Sequence, residues 1–175
     1  MILGMSLSTF TLVHVLLSLV GIVSGLLVVY GMLLGKRFDG ATAIFLVTTI
    51  LTSVSGFLFP VEHLLPSHVI GIISLLALAV AIFARYPFHM AHAWRSIYVV
   101  CAVLALYLNV FVLVVQVFMK VPAAHALAPT QKEPPFLIVQ LIVLAVFVVL
   151  GILAVKKFRL QPMTSAPSWT NTKAS

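Results

Sequence analysis

The sequence predicts an all-α fold, a polytopic bundle of five transmembrane helices. Three observations carry this expectation. Hydrophobic residues make up 63% of the 175-residue chain and charged residues only 7%, against roughly 25% charged in a soluble domain. A water-facing surface on a chain of this size would therefore lack polar cover. The apolar residues fall into five runs near the length of about 20 residues that a helix needs to cross a bilayer. Finally, the ten Lys and Arg residues sit in short clusters between those runs, where membrane topology places them. The net charge of +7 is thus assigned to orientation in a lipid bilayer and not to nucleic acid.

Span one is read from about Phe10 to Leu34, with Ser8 or Thr9 as its cap. It lacks a basic segment before it and a small-residue cleavage pattern after it, so it is expected to be a retained helix and not a signal peptide. His14, Ser18, Gly21 and Gly25 recur at helical spacing and share one face. Gly21 and Gly25 form a GxxxG pattern that lets another helix approach closely, within one monomer or across a homo-oligomer seam.

Span two runs from about Gly40 to Phe59, with Asp39 expected as its cap. Thr48, Thr52 and Ser55 form one stripe, with Thr49, Ser53 and Gly56 beside it. Such hydroxyls usually bond back to their own backbone or hold helices together; the sharper alternative is that they line a polar pocket. A short loop with Glu62 and His63 leads through Pro66 and Ser67 into span three, about His68 to Tyr86. The next loop holds His89 and His92.

Span four is read from Ala93 to Met119. Tyr98, Ala102, Ala105, Asn109 and Gln116 fall on one stripe, small at one end and polar at the other. The single cysteine, Cys101, excludes an intrachain disulfide and is expected to be a buried, inert thiol. A polar loop from Lys120 to Glu133 contains His125. Pro134 and Pro135 then open span five, about Pro134 to Val155, at positions where a missing amide proton costs little. Gln140 lies early in that span, and Lys156, Lys157 and Arg159 stop it. The transmembrane domain is thus 1–159, and 160–175 reads as a polar cytoplasmic tail with little order.

With the N-terminus outside, the inner segments hold Lys36, Arg37, Arg85, Arg95, Lys156, Lys157, Arg159 and Lys173, and the outer ones only Lys120 and Lys132. Positive residues prefer the cytoplasmic side, so the expected orientation is N-terminus out, C-terminus in. His63, His68, His125 and Glu62 then meet at the outer mouth. His14, Gln116 and Gln140 lie about one turn below it, and Asn109 lies deeper.

Polar side chains inside a bilayer are costly, so they are candidates for function. His14, Gln116, Gln140, His63, His68, His125 and Asn109 form the candidate ligand site: an outer-leaflet pocket for a small hydrophobic ligand such as a quinone. Imidazoles also ligate haem iron and other metals. His14 with His68 is the best haem pair, and His63, His68, His125 and Glu62 the best metal set, although neither spacing matches a specific motif. No span contains an acid, and no Ser-His-acid set or phosphate loop appears. The reading therefore leans away from an enzyme and assigns no catalytic residue. Two alternatives stand beside the ligand-binding protein: a non-catalytic subunit or assembly partner of a larger membrane complex, and a small proton-coupled transporter resting on His14.

The block LNVFVLVVQVFMKVPAAHALAPTQKEPPF from Leu108, together with KRFDG at Lys36 and the FP-x-EH region at Phe59, resembles a family of small, uncharacterised bacterial multi-pass membrane proteins. The resemblance extends over most of the five spans. It implies a bacterial inner membrane, and it carries no activity and no functional residues.

Overall fold

Five long helices and one short one account for most of the computed structural model, in which residues 2, 4–59 and 66–158 are described, 66 and 67 by backbone alone. In chain order they are α1 (Leu7–Leu33), α2 (Asp39–Gly56), α3 (Pro66–Arg85), α4 (Ala93–Lys120), α5 (Pro122–Leu127) and α6 (Pro134–Lys157). All five long helices are long and apolar enough to cross a membrane. Glu62, His63 and the expected tail at 160–175 lie outside the described residues.

The helix boundaries correct several expectations. Ser6, not Ser8 or Thr9, caps α1: its hydroxyl accepts from the Thr9 amide at 3.2 Å. The helix begins at Leu7, which places Ser8 inside the first turn. Asp39 does not cap α2 but begins it, and no side chain caps that helix. Its carboxylate turns instead to Arg85 at the end of α3 and to Arg37. Pro122 does break the helix before it, yet it also starts α5, because proline suits a first helical position. Cys101 is half-buried rather than buried.

Helices α1, α2, α3 and α4 pack in a ring, each against the next and α4 back against α1, while α6 lies outside the ring against α4 and α1. The ring has two unlike halves. The half towards the α1–α2 and α3–α4 connections is solid. There Ala77, Ala81 and Ala84 of α3 face Ala102 and Ala105 of α4, with Leu78, Phe45, Met32 and Leu106 filling the space between. Small residues let the backbones approach, and dispersion contacts hold helices together where lipid is as apolar as the side chains. Gly25 belongs to this half. A Cβ there would stand 2.6 Å from Leu106 Cδ1 and 2.8 Å from Phe45 Cδ2, so α1 approaches both α2 and α4 because the side chain is missing.

One buried charge closes this end. Arg85 donates to Asp39, and through Nη1 to the Tyr98 hydroxyl at 3.4 Å. Its guanidinium also lies over the Tyr98 and Tyr86 rings, 5.4 and 5.7 Å from their centroids. A buried guanidinium needs such partners because its hydration has been removed. Lys36, Arg37, Lys156 and Lys157 flank the same end. Lys120 and Lys132 lie at the other end, beside α5.

Candidate functional site

The half of the ring towards α5 is hollow. A cavity of about 660 Å³ lies among α1, α2, α3 and α4. Three hydrogen bonds fix its frame. Ser18 of α1 donates to Asn109 Oδ1 of α4 at 2.8 Å, which seals the floor. Gly21 permits that closure: a Cβ on it would sit 3.1 Å from Thr49 Oγ1 and 3.2 Å from Asn109 Nδ2. Ser53 of α2 donates to Ser74 of α3 at 3.3 Å and joins the back wall. His14 of α1 meets Ser55 of α2 through Nδ1 at 2.7 Å, with its ring edge-on to Phe59 at 5.2 Å.

The His14–Ser55 bond assigns the two ring nitrogens different tasks. Nδ1 is engaged by Ser55, which itself donates to the Thr52 carbonyl at 3.1 Å. With one nitrogen held, the ring plane is fixed and the other nitrogen has a defined direction. His68 lines the cavity from α3, buried, with its ring 5.4 Å from Phe57. Helices α1 and α3 stand diagonally across the ring, so the two imidazoles enter one space from different sides.

The α2 hydroxyls divide into two groups. Thr42 and Thr48 bond back to the carbonyls of Phe38 and Ile44 at 2.9 and 2.7 Å, the usual habit of threonine in an apolar helix. Thr49 and Thr52 do not. Both are buried, both line the cavity, and neither hydroxyl has a hydrogen-bond partner among the described residues. Burying a hydroxyl without a partner costs about 1–3 kcal/mol, so two such groups side by side on one wall mark where a hydrogen-bonding guest gains most.

The structure brings together some of the expected site residues and separates others. His14, His68, Asn109 and Gln116 all line the cavity, with Gln116 exposed at its rim. Gln140 does not line it. Helix α6 lies outside the ring, and the Gln140 amide donates to the Phe111 carbonyl of α4 at 3.2 Å. His125 does not line it either: α5 folds back so that Nδ1 meets the Phe118 carbonyl at 3.2 Å. Similar depth groups Gln140 with His14 and a place in the outer loop groups His125 with it, and neither specifies direction around the bundle. Of the metal set, Glu62 and His63 lie outside the described residues. Among the described residues no group of three or more His, Cys, Asp or Glu side chains converges. His89 and His92 are exposed on the α3–α4 connection, both with left-handed backbone.

Sequence reasoning missed Ser18, Ser74 and Lys120 as parts of this site, and left Thr49, Thr52 and Ser53 as an open alternative. Ser18 did carry a signal, since it shares a helical face with His14. Comparison with family models, with curated proteins and with solved structures finds no match.

Proposed function

We propose that this chain is a multi-pass protein of a bacterial inner membrane, with its N-terminus outside and its C-terminus in the cytoplasm. In this reading it binds a small hydrophobic ligand with a hydrogen-bonding head, of the quinone class, in the cavity among α1, α2, α3 and α4. The observation that supports this most is the pair of buried, unpartnered hydroxyls of Thr49 and Thr52 facing a space of about 660 Å³. Small-ligand sites commonly measure roughly 300–1,000 Å³ and combine an apolar lining with a few convergent polar groups. A quinone carbonyl accepts hydrogen bonds. Thr49 and Thr52 supply donors on one wall, and His14 and Gln116 supply further polar contacts at the front. Ser18, Asn109 and Ser55 are occupied with one another or with His14 and act as positioning residues.

A second reading has its own support. His14 and His68 line one cavity from diagonal helices, and the Ser55 bond to His14 Nδ1 leaves Nε2 as the coordinating nitrogen. That is how a haem ligand is held when its other nitrogen is anchored.

Purification in mild detergent, followed by an absorption spectrum and ultraviolet analysis of a solvent extract, tests both. A stoichiometric ultraviolet chromophore that changes on borohydride reduction supports the quinone class. A Soret band that disappears in His14→Ala supports haem. A colourless protein with stoichiometric co-purifying subunits would overturn both and favour an assembly role.

A further inference from the structure

The cavity wall is not equally covered on all sides. Every lining residue on α2 and α3 is buried or half-buried, including Thr49 at 1% exposure, Thr52 at 9%, His68 at 7% and Ser74 at 4%. The exposed lining residues on helices belong to α1 and α4: the apolar Leu7, Val15 and Leu19 on one and Val117 and Met119 on the other, between 39 and 52% exposed, with the polar Gln116 and Lys120 of α4. From the level of Leu19 downward the two helices are joined, first by the adjacent Ser18–Asn109 bond and then by Gly25 against Leu106. The cavity therefore has a polar back on α2 and α3, a sealed floor, and an apolar side mouth between the upper halves of α1 and α4. Gln116 and Lys120 lie along the top of that mouth.

This asymmetry constrains what can enter. In the proposed membrane orientation, a mouth lined by leucine, valine and methionine would face hydrocarbon, where a water-soluble ligand is not dissolved. It also leaves room for an apolar chain to remain outside while a polar head sits inside. Placing a long tail wholly within 660 Å³ would be unnecessary, because the tail keeps its lipid surroundings.

Resting on the binding reading above, we infer that the site takes a tailed, membrane-dissolved amphiphile sideways from the bilayer. Its carbonyl-bearing head reaches Thr49 and Thr52, and its hydrocarbon tail lies across the α1–α4 mouth. The tail is part of recognition, and the mouth, not the open end beside α5, is the route of entry.

Two probes separate this inference from the reading beneath it: a benzoquinone carrying a decyl chain, and the same ring without the chain. Binding is followed by thermal stabilisation of the purified protein in nanodiscs. The decyl compound is expected to bind wild type at least 10-fold more tightly than the bare ring. Val15→Trp with Val117→Trp, which narrows the mouth, is expected to weaken the decyl compound at least 10-fold and leave the bare ring within 2-fold. Ile142→Trp, on the exposed face of α6, is expected to change neither. Equal weakening of both probes, or of neither, would overturn lateral entry while leaving the binding site in place. Binding of neither probe to wild type would overturn both. Should the double variant not fold, a decyl probe with a photoreactive group at the tail end decides on wild type. Labelling of α1 and α4 near Leu19 and Met119 supports the inference, and labelling confined to α2 and α3 overturns it.

Discussion

His14 Nδ1 stands 2.7 Å from the Ser55 hydroxyl and thereby ties α1 to α2 at the front of the cavity. The bond turns an imidazole that could rotate into one with a fixed plane, and in the proposed site it would make ligand binding sensitive to a residue that touches no ligand. Ser55→Ala is expected to weaken decyl-benzoquinone binding about 3- to 10-fold, in keeping with a hydrogen bond worth roughly 1 kcal/mol. His14→Ala should weaken it more. His89→Ala, exposed at the opposite end, should have no effect. Equal effects of His14→Ala and His89→Ala in a titration would remove His14 from the site.

The glycine face of α1 gives a stability test. Gly25→Ala adds a methyl group 2.6 Å from Leu106 and should destabilise the folded bundle by about 1–3 kcal/mol, the usual cost of overpacking. Gly40→Ala, where a Cβ meets nothing within 4 Å, should be neutral or slightly stabilising, since alanine is the better helix former. Thermal unfolding in one detergent compares them directly. Similar midpoints for the two variants would show that α1 does not approach α2 and α4 as closely as described.

Arg85 and Asp39 provide a second. Asp39→Ala leaves the buried guanidinium with only Tyr98 and Tyr86. Asp39 itself is 68% exposed, so solvent screens part of the interaction, and the expected loss is about 1–2 kcal/mol. Arg85→Met, which removes the charge and keeps apolar volume, should cost less than Arg85→Ala, because replacing a buried charge can be nearly neutral. The opposite order would mean that the charge itself, beyond its packing, is what this end requires.

Glu133, outside the spans, offers a pH test. Its carboxylate accepts from the Thr130 hydroxyl at 2.8 Å and from the amides of Thr130 and Lys132 at 3.1 and 3.0 Å. Desolvation pushes its pKa up and is the largest single effect, but the hydrogen bonds together outweigh it and hold the pKa below the ordinary carboxylate value. A depressed folded-state pKa means that the contribution is present at neutral pH and lost as pH falls through that value. Amide exchange at Thr130 and Lys132, corrected for its intrinsic pH dependence, should accelerate in acid in wild type. In Glu133→Gln it should already be fast at neutral pH. Unchanged protection across that range would remove the carboxylate from the loop's stability.

The proposed topology rests on charge alone. In a Cys101→Ala background, a cysteine at Ala123 should react with an impermeant reagent in intact cells and one at Ser168 should not. Labelling of both, or of Ser168 alone, contradicts the proposed orientation.

Much of this architecture was legible in the chain. The five apolar runs give the five long helices directly, as expected of segments that would have to satisfy their backbone groups internally in hydrocarbon. Boundaries moved by up to three residues where caps intervened: Ser6 draws α1 outward, and α2 ends at Gly56 short of Phe59. Asn109, Gln116 and His14 stood out as polar groups in apolar sequence. Gln140 stood out equally, yet bonds to the outside of α4, since a single polar residue does not reveal which neighbour it meets. Thr49 and Thr52 were the least legible. Only the positions of surrounding carbonyls distinguish a threonine that bonds back from one that faces a cavity. The Asp39–Arg85 pair, 46 residues apart, was hidden for a related reason: both charges already had an explanation in topology.

The proposed site requires the Thr49 and Thr52 hydroxyls to face a ligand and not to hold the fold. Replacing each with valine keeps the shape and removes the polar group. The double variant Thr49→Val with Thr52→Val is to be unfolded thermally in nanodiscs, alone and with decyl-benzoquinone. Without the probe, its midpoint should equal or exceed that of wild type, because two unpartnered buried hydroxyls are gone. With the probe, the stabilisation seen in wild type should be largely lost, corresponding to an affinity at least 10-fold weaker. A ligand-free variant markedly less stable than wild type, or one stabilised by the probe as fully as wild type, would remove Thr49 and Thr52 from a ligand site.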